Sequence, residues 1–236
     1  MSSTVLPKTR APWEWKVWWQ WVAANAASET VGLGGTLLLG VLLLAKAEPV
    51  IGPVPAAALA VLAGTLLEGS LVGTAQWLVL HHPLRGLRWR AWAVATALGA
   101  CVAWTLGMIP STFLITGSGS AEPGPGGMSD LLIYALAAGM GLVLGPLLGV
   151  PQWLVLRRHL SRAGWWVPAN ALAWMLGMVV IFVGTGFIPA QGITLPVALV
   201  LLLFVVAAGA VVGAVHGLVL IWLLHMRRPG ATADVG

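Results

Sequence analysis

The sequence predicts an all-α integral membrane protein with six transmembrane helices, in a single membrane domain over residues 1–236. The chain is 59% hydrophobic and 8% charged, with a mean hydropathy of +0.93, whereas soluble domains carry about 25% charged residues. Apolar stretches long enough to cross a hydrocarbon core of about 30 Å recur along the chain. An internal repeat then divides these stretches into three pairs.

Six spans follow from the turn and charge signals between the apolar stretches. We expect a polar, basic tail over residues 1–16, and a retained first span rather than a signal peptide. A short turn at residues 46–49 is expected to end span 1, and residues 117–127 form a helix-breaking connector. The expected spans are 17–45, 53–80, 91–116, 130–156 and two spans within 163–226, which residues 188–196 divide.

The basic residues predict the orientation of the spans. Eleven of the 12 Lys and Arg fall in the two tails and in the loops between spans 2 and 3 and spans 4 and 5, and only Lys46 falls on the other side. Since cytoplasmic loops carry the excess of Lys and Arg, we expect both termini in the cytoplasm and the protein in the inner (cytoplasmic) membrane. This distribution also accounts for the net charge of +5 without a nucleic-acid partner.

The chain is rich in tryptophan. Twelve of the 14 Trp residues lie near the expected cytoplasmic ends of spans, and only Trp104 and Trp174 do not. Indole rings favour the headgroup level of a bilayer, so an aromatic belt is the simplest interpretation. Packing of these rings against a pigment or haem is the alternative.

Two sequence motifs recur three times each. The even spans repeat G-x-x-x-G-x-x-[Q/H]-x-L-V-L, and the odd spans repeat W-x-x-A-[N/T]-A. Together they predict three two-helix hairpins, approximately residues 17–80, 91–156 and 165–225, around a pseudo-threefold axis along the membrane normal. Because small residues let helices approach closely in lipid, we expect the repeated glycines to form helix seams. These glycines are Gly69, Gly73, Gly145, Gly149, Gly209 and Gly213.

The same two motifs place polar side chains at matching depths in the membrane. An unpaired amide in hydrocarbon costs several kcal/mol, so each even-span Gln or His is expected to hydrogen-bond across its seam. With the Asn or Thr of the odd spans they would form one polar layer in the cytoplasmic half of the bundle. Its members are Asn25, Gln76, Thr96, Gln152, Asn170 and His216.

Two acids break the repeat. Glu29 and Glu68 stand where the other hairpins have Ala, Trp or Leu, and no expected span contains Lys or Arg to neutralise them. Both lie roughly 16 to 18 Å from the cytoplasmic ends of their spans. An intramembrane carboxylate is a functional hypothesis by default. The pair is either a proton or cation site, together with Asn25 and Ser28, or two neutral acids hydrogen-bonded across a helix seam.

Motifs of enzyme chemistry are missing from the sequence. It has no H-E-x-x-H, no nucleotide-binding loop and no Cys pair, since Cys101 is its single cysteine. We therefore expect no catalytic residue, no metal site and no enzymatic activity, and the sequence implies no particular cofactor. The leading hypothesis is a scaffold or accessory subunit that packs against other integral membrane proteins, lipids or pigments, for example in an energy-transducing complex. The alternative is a small proton- or cation-linked transporter or solute-binding component that uses Glu29 and Glu68.

Overall fold

The described part of the chain folds into six long helices. The computed structural model describes residues 12–109, 129–189 and 192–226, and no strand occurs within these ranges. The connector at residues 117–127 and most of both tails lie outside the described residues. The helices are α1 (Pro12–Leu42), α2 (Pro53–Leu80), α3 (Trp89–Ile109), α4 (Asp130–Leu156), α5 (Trp166–Thr185) and α6 (Leu195–His225).

These helices have the length and composition of membrane spans. Five of them, all except α3, are long and apolar enough to cross a bilayer. α3 has 21 described residues, which at 1.5 Å per residue span about 31 Å. The expectation of an all-helical fold is therefore confirmed for the described residues, and at least five of these helices are long and apolar enough to span a membrane.

The beginning and end of the first span differ from the expectation. α1 starts at Pro12 rather than Val17, and no turn occurs at residues 46–49. Instead the helix continues through a π turn, Leu43–Ala47, and a short helix, Glu48–Ile51, and the chain turns at Gly52, whose φ is +84°. Pro49 lies in the first turn of the short helix, directly after the wider π turn, and proline is tolerated in the first turn of a helix. The predicted turn was therefore three residues early.

The helices form a closed ring in chain order. Each helix packs against the next one along the chain, and α6 packs back against α1. Glycines allow three of these contacts to be close: a Cβ at Gly69 would lie 2.7 Å from the Cα of Ala97 on α3, and one at Gly209 would lie 3.0 Å from the Cα of Ala26 on α1. Gly145 lies directly against the Asn170 carbonyl on α5. Gly73, Gly149 and Gly213 line the same three contacts one turn further on.

One end of the ring is closed by a packed apolar cluster, and we call it the tryptophan-rich end. Trp21, Trp92 and Trp166 are fully buried there, and the ring centroids of Trp21 and Trp92 lie 5.9 and 6.3 Å from that of Trp166. Leucines from the helix ends and from the loops after α2 and α4 complete the cluster. The same end holds a buried Glu14, whose Oε1 lies 2.8 Å from Nδ1 of His225.

Candidate functional site

The buried tryptophans position a polar layer directly beneath the apolar cluster. Each indole N–H donates a hydrogen bond to the Gln or His of an adjacent helix. The three bonds are Trp21 Nε1 to His216 Nδ1 at 2.8 Å, Trp92 Nε1 to Gln76 Oε1 at 3.2 Å, and Trp166 Nε1 to Gln152 Oε1 at 2.9 Å. A neutral His216 that accepts at Nδ1 carries its own proton on Nε2.

The remaining hydrogen bonds join the layer across the ring. Gln76 Nε2 donates to Asn25 Oδ1 at 2.9 Å, which links α2 to α1. Gln152 Nε2 lies 3.0 Å from Thr96 Oγ1 and 3.1 Å from Gln76 Oε1, which links α4 to α3 and α2. Asn25, Thr96 and Asn170 each donate to the carbonyl four residues earlier on their own helix. These groups are buried, so the bonds satisfy polar atoms that water does not reach.

Glu29 and Glu68 lie together one to two turns beyond this layer. Both are buried, with exposed fractions of 3% and 7%. They approach each other because α1 and α2 cross closely at Gly32, where a Cβ would lie 2.8 Å from the Cα of Glu68. Glu29 in turn packs over Gly209 of α6.

The two acids differ in their hydrogen-bond partners. Glu68 belongs to a π turn, Thr65–Gly69, that interrupts α2, and its Oε2 accepts a 2.9 Å bond from Trp104 Nε1. The Oε2 atom of Glu29 is buried and has no hydrogen-bond partner in the described part of the chain. Leaving a buried acceptor unpaired costs about 1 to 3 kcal/mol. Glu29 therefore retains an unused acceptor in the centre of the bundle.

Two cavities meet at these acids. The polar cavity lies between the polar layer and the carboxyl groups. The centre of a water-sized sphere can occupy a volume of about 20 Å³ within it. That space suffices for one water molecule, which needs about 10 to 15 Å³ by this measure. The apolar cavity, of about 270 Å³, lies on the side away from the tryptophan-rich end. Glu68, Leu148 and Trp174 line both cavities.

The structure brings most of the candidate site residues to the polar cavity. Its lining includes Asn25, Glu29, Glu68, Gln76, Thr96, Gln152, Asn170 and His216. Ser28 is buried but bonds to its own helix, through a 2.7 Å bond to the carbonyl of Ala24. Gly69 also lines the cavity, whereas the other five repeated glycines lie in the helix contacts. Among the described residues there is no group of three or more His, Cys, Asp or Glu that could hold a metal ion.

Sequence reasoning missed the role of two tryptophans. Trp104 is the hydrogen-bond donor to Glu68, and Trp174 lines both cavities. The sequence contained a signal for them, because they are the two Trp residues away from the expected cytoplasmic ends. An indole N–H at that depth needs an acceptor within the protein, and an acid at matching depth was the available one.

Comparison with known proteins adds no identification. No protein-family model, curated protein or solved structure matches this chain. The function is therefore argued from the site itself.

Proposed function

We propose that this chain is a proton-linked solute-binding membrane protein in which Glu29 and Glu68 hold an exchangeable proton. The observation that carries the proposal is the pair of buried acids at the junction of the two cavities, one of them with an unused carboxylate oxygen. Of the two functions that the sequence suggests, this is the one that the geometry supports best.

The electrostatics of the pair support proton exchange. Charging a carboxyl group in a low-dielectric interior is costly, and two neighbouring carboxylates repel each other. From residue 17 onward, Arg90 is the single Lys or Arg within the six helices, and it is exposed at the start of α3, at the tryptophan-rich end, where it does not neutralise them. The pair therefore holds a proton or a bound cation, and an intramembrane acid in this condition is typical of proton and ion pathways.

The two cavities suggest which side exchanges. Toward the tryptophan-rich end, the acids are covered by the polar layer and then by the apolar cluster. On the other side, Glu68 borders the partly open apolar cavity. Solute and proton would therefore reach the acids through the apolar cavity.

We further propose the arrangement in the membrane that the sequence predicts. Three hairpins around a pseudo-threefold axis would account for the three equivalent indole hydrogen bonds. The distribution of Lys and Arg supports an orientation in the inner membrane in which the tryptophan-rich end and both termini are on the cytoplasmic side. The apolar cavity would then face the opposite leaflet.

Infrared spectroscopy tests the proton site directly. In membranes containing the wild-type protein, raising the pH should remove a protonated-carboxyl C=O band, and the double variant E29Q/E68Q should lack this titrating band. The matched control is E14Q, which removes a buried carboxyl at the tryptophan-rich end and should leave the band unchanged. A wild-type spectrum identical to that of the double variant at every pH would refute the proposal.

A scaffold or accessory subunit remains the second candidate. The repeated glycines are used within the chain, so they leave no seam for a partner. Gly34, Gly35 and Gly40, however, have open space where a side chain would lie, so this part of α1 could receive a helix of another membrane protein. Gentle native purification, followed by mass spectrometry and an absorption spectrum, would reveal a protein partner or a pigment. A colourless protein that purifies alone would count against this candidate.

A further inference from the structure

The residues that line the apolar cavity indicate what it binds. We infer that its ligand is a monovalent organic cation with an apolar body, and that the charged head of this cation lies at Glu68. This inference rests on the proposed function, since it names the solute that the acid pair exchanges for a proton. The cavity is bordered by five of the six helices, α1 to α5.

The walls suit an apolar body. Apart from Glu68, every lining residue is apolar or glycine, including Met140 and Met178 and the indoles of Trp104 and Trp174. Methionine side chains adapt to irregular apolar shapes, and they recur at binding surfaces that accept varied ligands. The apolar cavity's volume of about 270 Å³ is more than ten times the volume of about 20 Å³ that the polar cavity has by the same measure, so it has room for an organic molecule rather than a single water.

The charge of the head follows from the acids. Glu68 is the single ionisable residue among those that line the apolar cavity, and Glu29 lies behind it in the polar cavity. An anion would be repelled by either carboxylate. A cation would pair with the ionised form, and the indole faces of Trp104 and Trp174 add attraction for an ammonium group.

Binding is an exchange that conserves charge in the cavity. With the cavity empty, the acid pair keeps its proton. When the organic cation binds, one O–H bond of the pair breaks, the proton leaves to water, and the resulting carboxylate pairs with the cation. The titratable groups facing this site from the helices around it are Glu29 on α1, Glu68 on α2 and His216 on α6, while α3, α4 and α5 present uncharged residues.

Calorimetry with a matched pair of probes tests this assignment. Phenyltrimethylammonium is the cationic probe, and tert-butylbenzene has the same shape without the charge. Titrating the purified full chain in lipid nanodiscs with the cation, in two buffers of different ionisation enthalpy, measures proton release. We expect about one proton released per cation bound, and at least about tenfold weaker binding by E68Q. E14Q should bind the cation as the wild type does.

Filling the cavity provides a second test, independent of charge. Gly107 lines the apolar cavity, and a Cβ there meets no atom within 4 Å, so Gly107→Phe should occupy the cavity and remove binding of the cation. Gly139→Phe on α4 is the matched control, because Gly139 also has open space but does not line the cavity. It should bind as the wild type does.

The outcomes separate the two proposals. Cation binding by E68Q or Gly107→Phe at wild-type affinity would overturn the inference, and so would tighter binding of tert-butylbenzene than of the cation. If the infrared carboxyl band still titrates in that case, the proton site stands and its solute is of another class. Absence of the titrating band in the wild type would instead refute the proposed function itself.

Discussion

The two ends of the bundle use buried polar groups in opposite ways. At the tryptophan-rich end, each of the three fully buried indole N–H groups has an acceptor, and the amides of Gln76 and Gln152 are bonded across helices. On the other side of the polar layer, the bundle contains the acid pair and an apolar cavity of about 270 Å³, and two buried oxygens there, on Glu29 and Thr36, have no hydrogen-bond partner among the described residues. One end is therefore built for stability, while the other leaves space and unused acceptors.

This difference coincides with the division between residues inside and outside the two recurring sequence motifs. The glycines and the Gln or His of each repeat lie in helix contacts or in the polar layer. The acids and Trp104, which have no counterparts in the repeat, line the cavities: Glu29 the polar cavity, Trp104 the apolar cavity, and Glu68 both. Variants at the first group should therefore change stability, whereas variants at the second should mainly change binding and proton exchange.

The largest effect on stability is expected when a glycine in a helix–helix contact is replaced by a large residue. Gly145→Leu places side-chain atoms against the carbonyl of Asn170 on α5, and overpacking of this kind costs about 1 to 3 kcal/mol or more. Thermal unfolding in detergent, followed by size-exclusion chromatography, should show strongly reduced stability. Gly139→Leu on the same helix has open space and should melt with the wild type. Equal melting of the two variants would show that α4 and α5 are not in close contact.

A smaller loss is expected when the polar layer loses one amide. Gln152→Leu removes the acceptor of Trp166 and the two bonds made by the Gln152 amide group. At about 0.6 kcal/mol for each bond within a membrane, the loss is about 2 kcal/mol. His216→Gln is the informative control, because a glutamine can still accept from Trp21, and it should retain most of the stability. Unfolding in a graded denaturing detergent measures both.

A third change tests the donor to the acid pair. Trp104→Phe leaves Glu68 Oε2 without its indole partner, which should cost about 1 kcal/mol. It should also shift the infrared band of the protonated carboxyl group, since hydrogen bonding changes its C=O frequency. Trp89→Phe removes an exposed indole that bonds Thr74 and should change neither property. An unshifted band in Trp104→Phe would separate Trp104 from the proton site.

The smallest effects on stability are expected from substituting one threonine in each half of the bundle. Thr36→Val removes a buried hydroxyl that has no partner within the described residues, so stability should stay unchanged or rise by up to about 1 kcal/mol. Thr96→Val removes a hydroxyl that bonds both Trp92 and Gln152, and about 1 kcal/mol should be lost. If both variants lose stability equally, the hydroxyl of Thr36 has a partner, such as a bound water.

The sequence carried enough information for the helices but less for the site. Uninterrupted apolar length and charged loops predicted the spans, since these properties decide what crosses a bilayer. The spacing of Gly69, Gly73 and Gln76 predicted one shared face. It could not predict which helix this face meets: Gly69 packs on α3 rather than on α1. That choice depends on the packing of all six helices.

The cavities could not be predicted from the sequence either. A void is defined by side chains from several helices that fail to meet, such as Leu33, Met140 and Met178, and no local pattern records this. Glu29 and Glu68 could be singled out because their chemistry conflicts with lipid. The depth of Trp104 indicated that it needs a buried acceptor, but pairing it with Glu68 requires the relative rotation of α2 and α3, which the sequence does not contain.

The π turn in α2 has a consequence for insertions and deletions. The buried residues of α2 recur every fourth position, from Ala56 through Glu68 and Gln76 to Leu80. A stripe of this period drifts by about 40° for each step around a regular α-helix of 3.6 residues per turn. The wider turn at Thr65–Gly69 absorbs part of that drift. Because a π turn holds one residue more than an α-helical turn, deleting one residue within it would leave a regular helix and keep Gln76 near Asn25. Deleting one residue within 70–75, in the regular helix that follows, would instead rotate the rest of α2 by about 100° and move Gln76 away from Asn25, although every side chain of the polar layer would still be present.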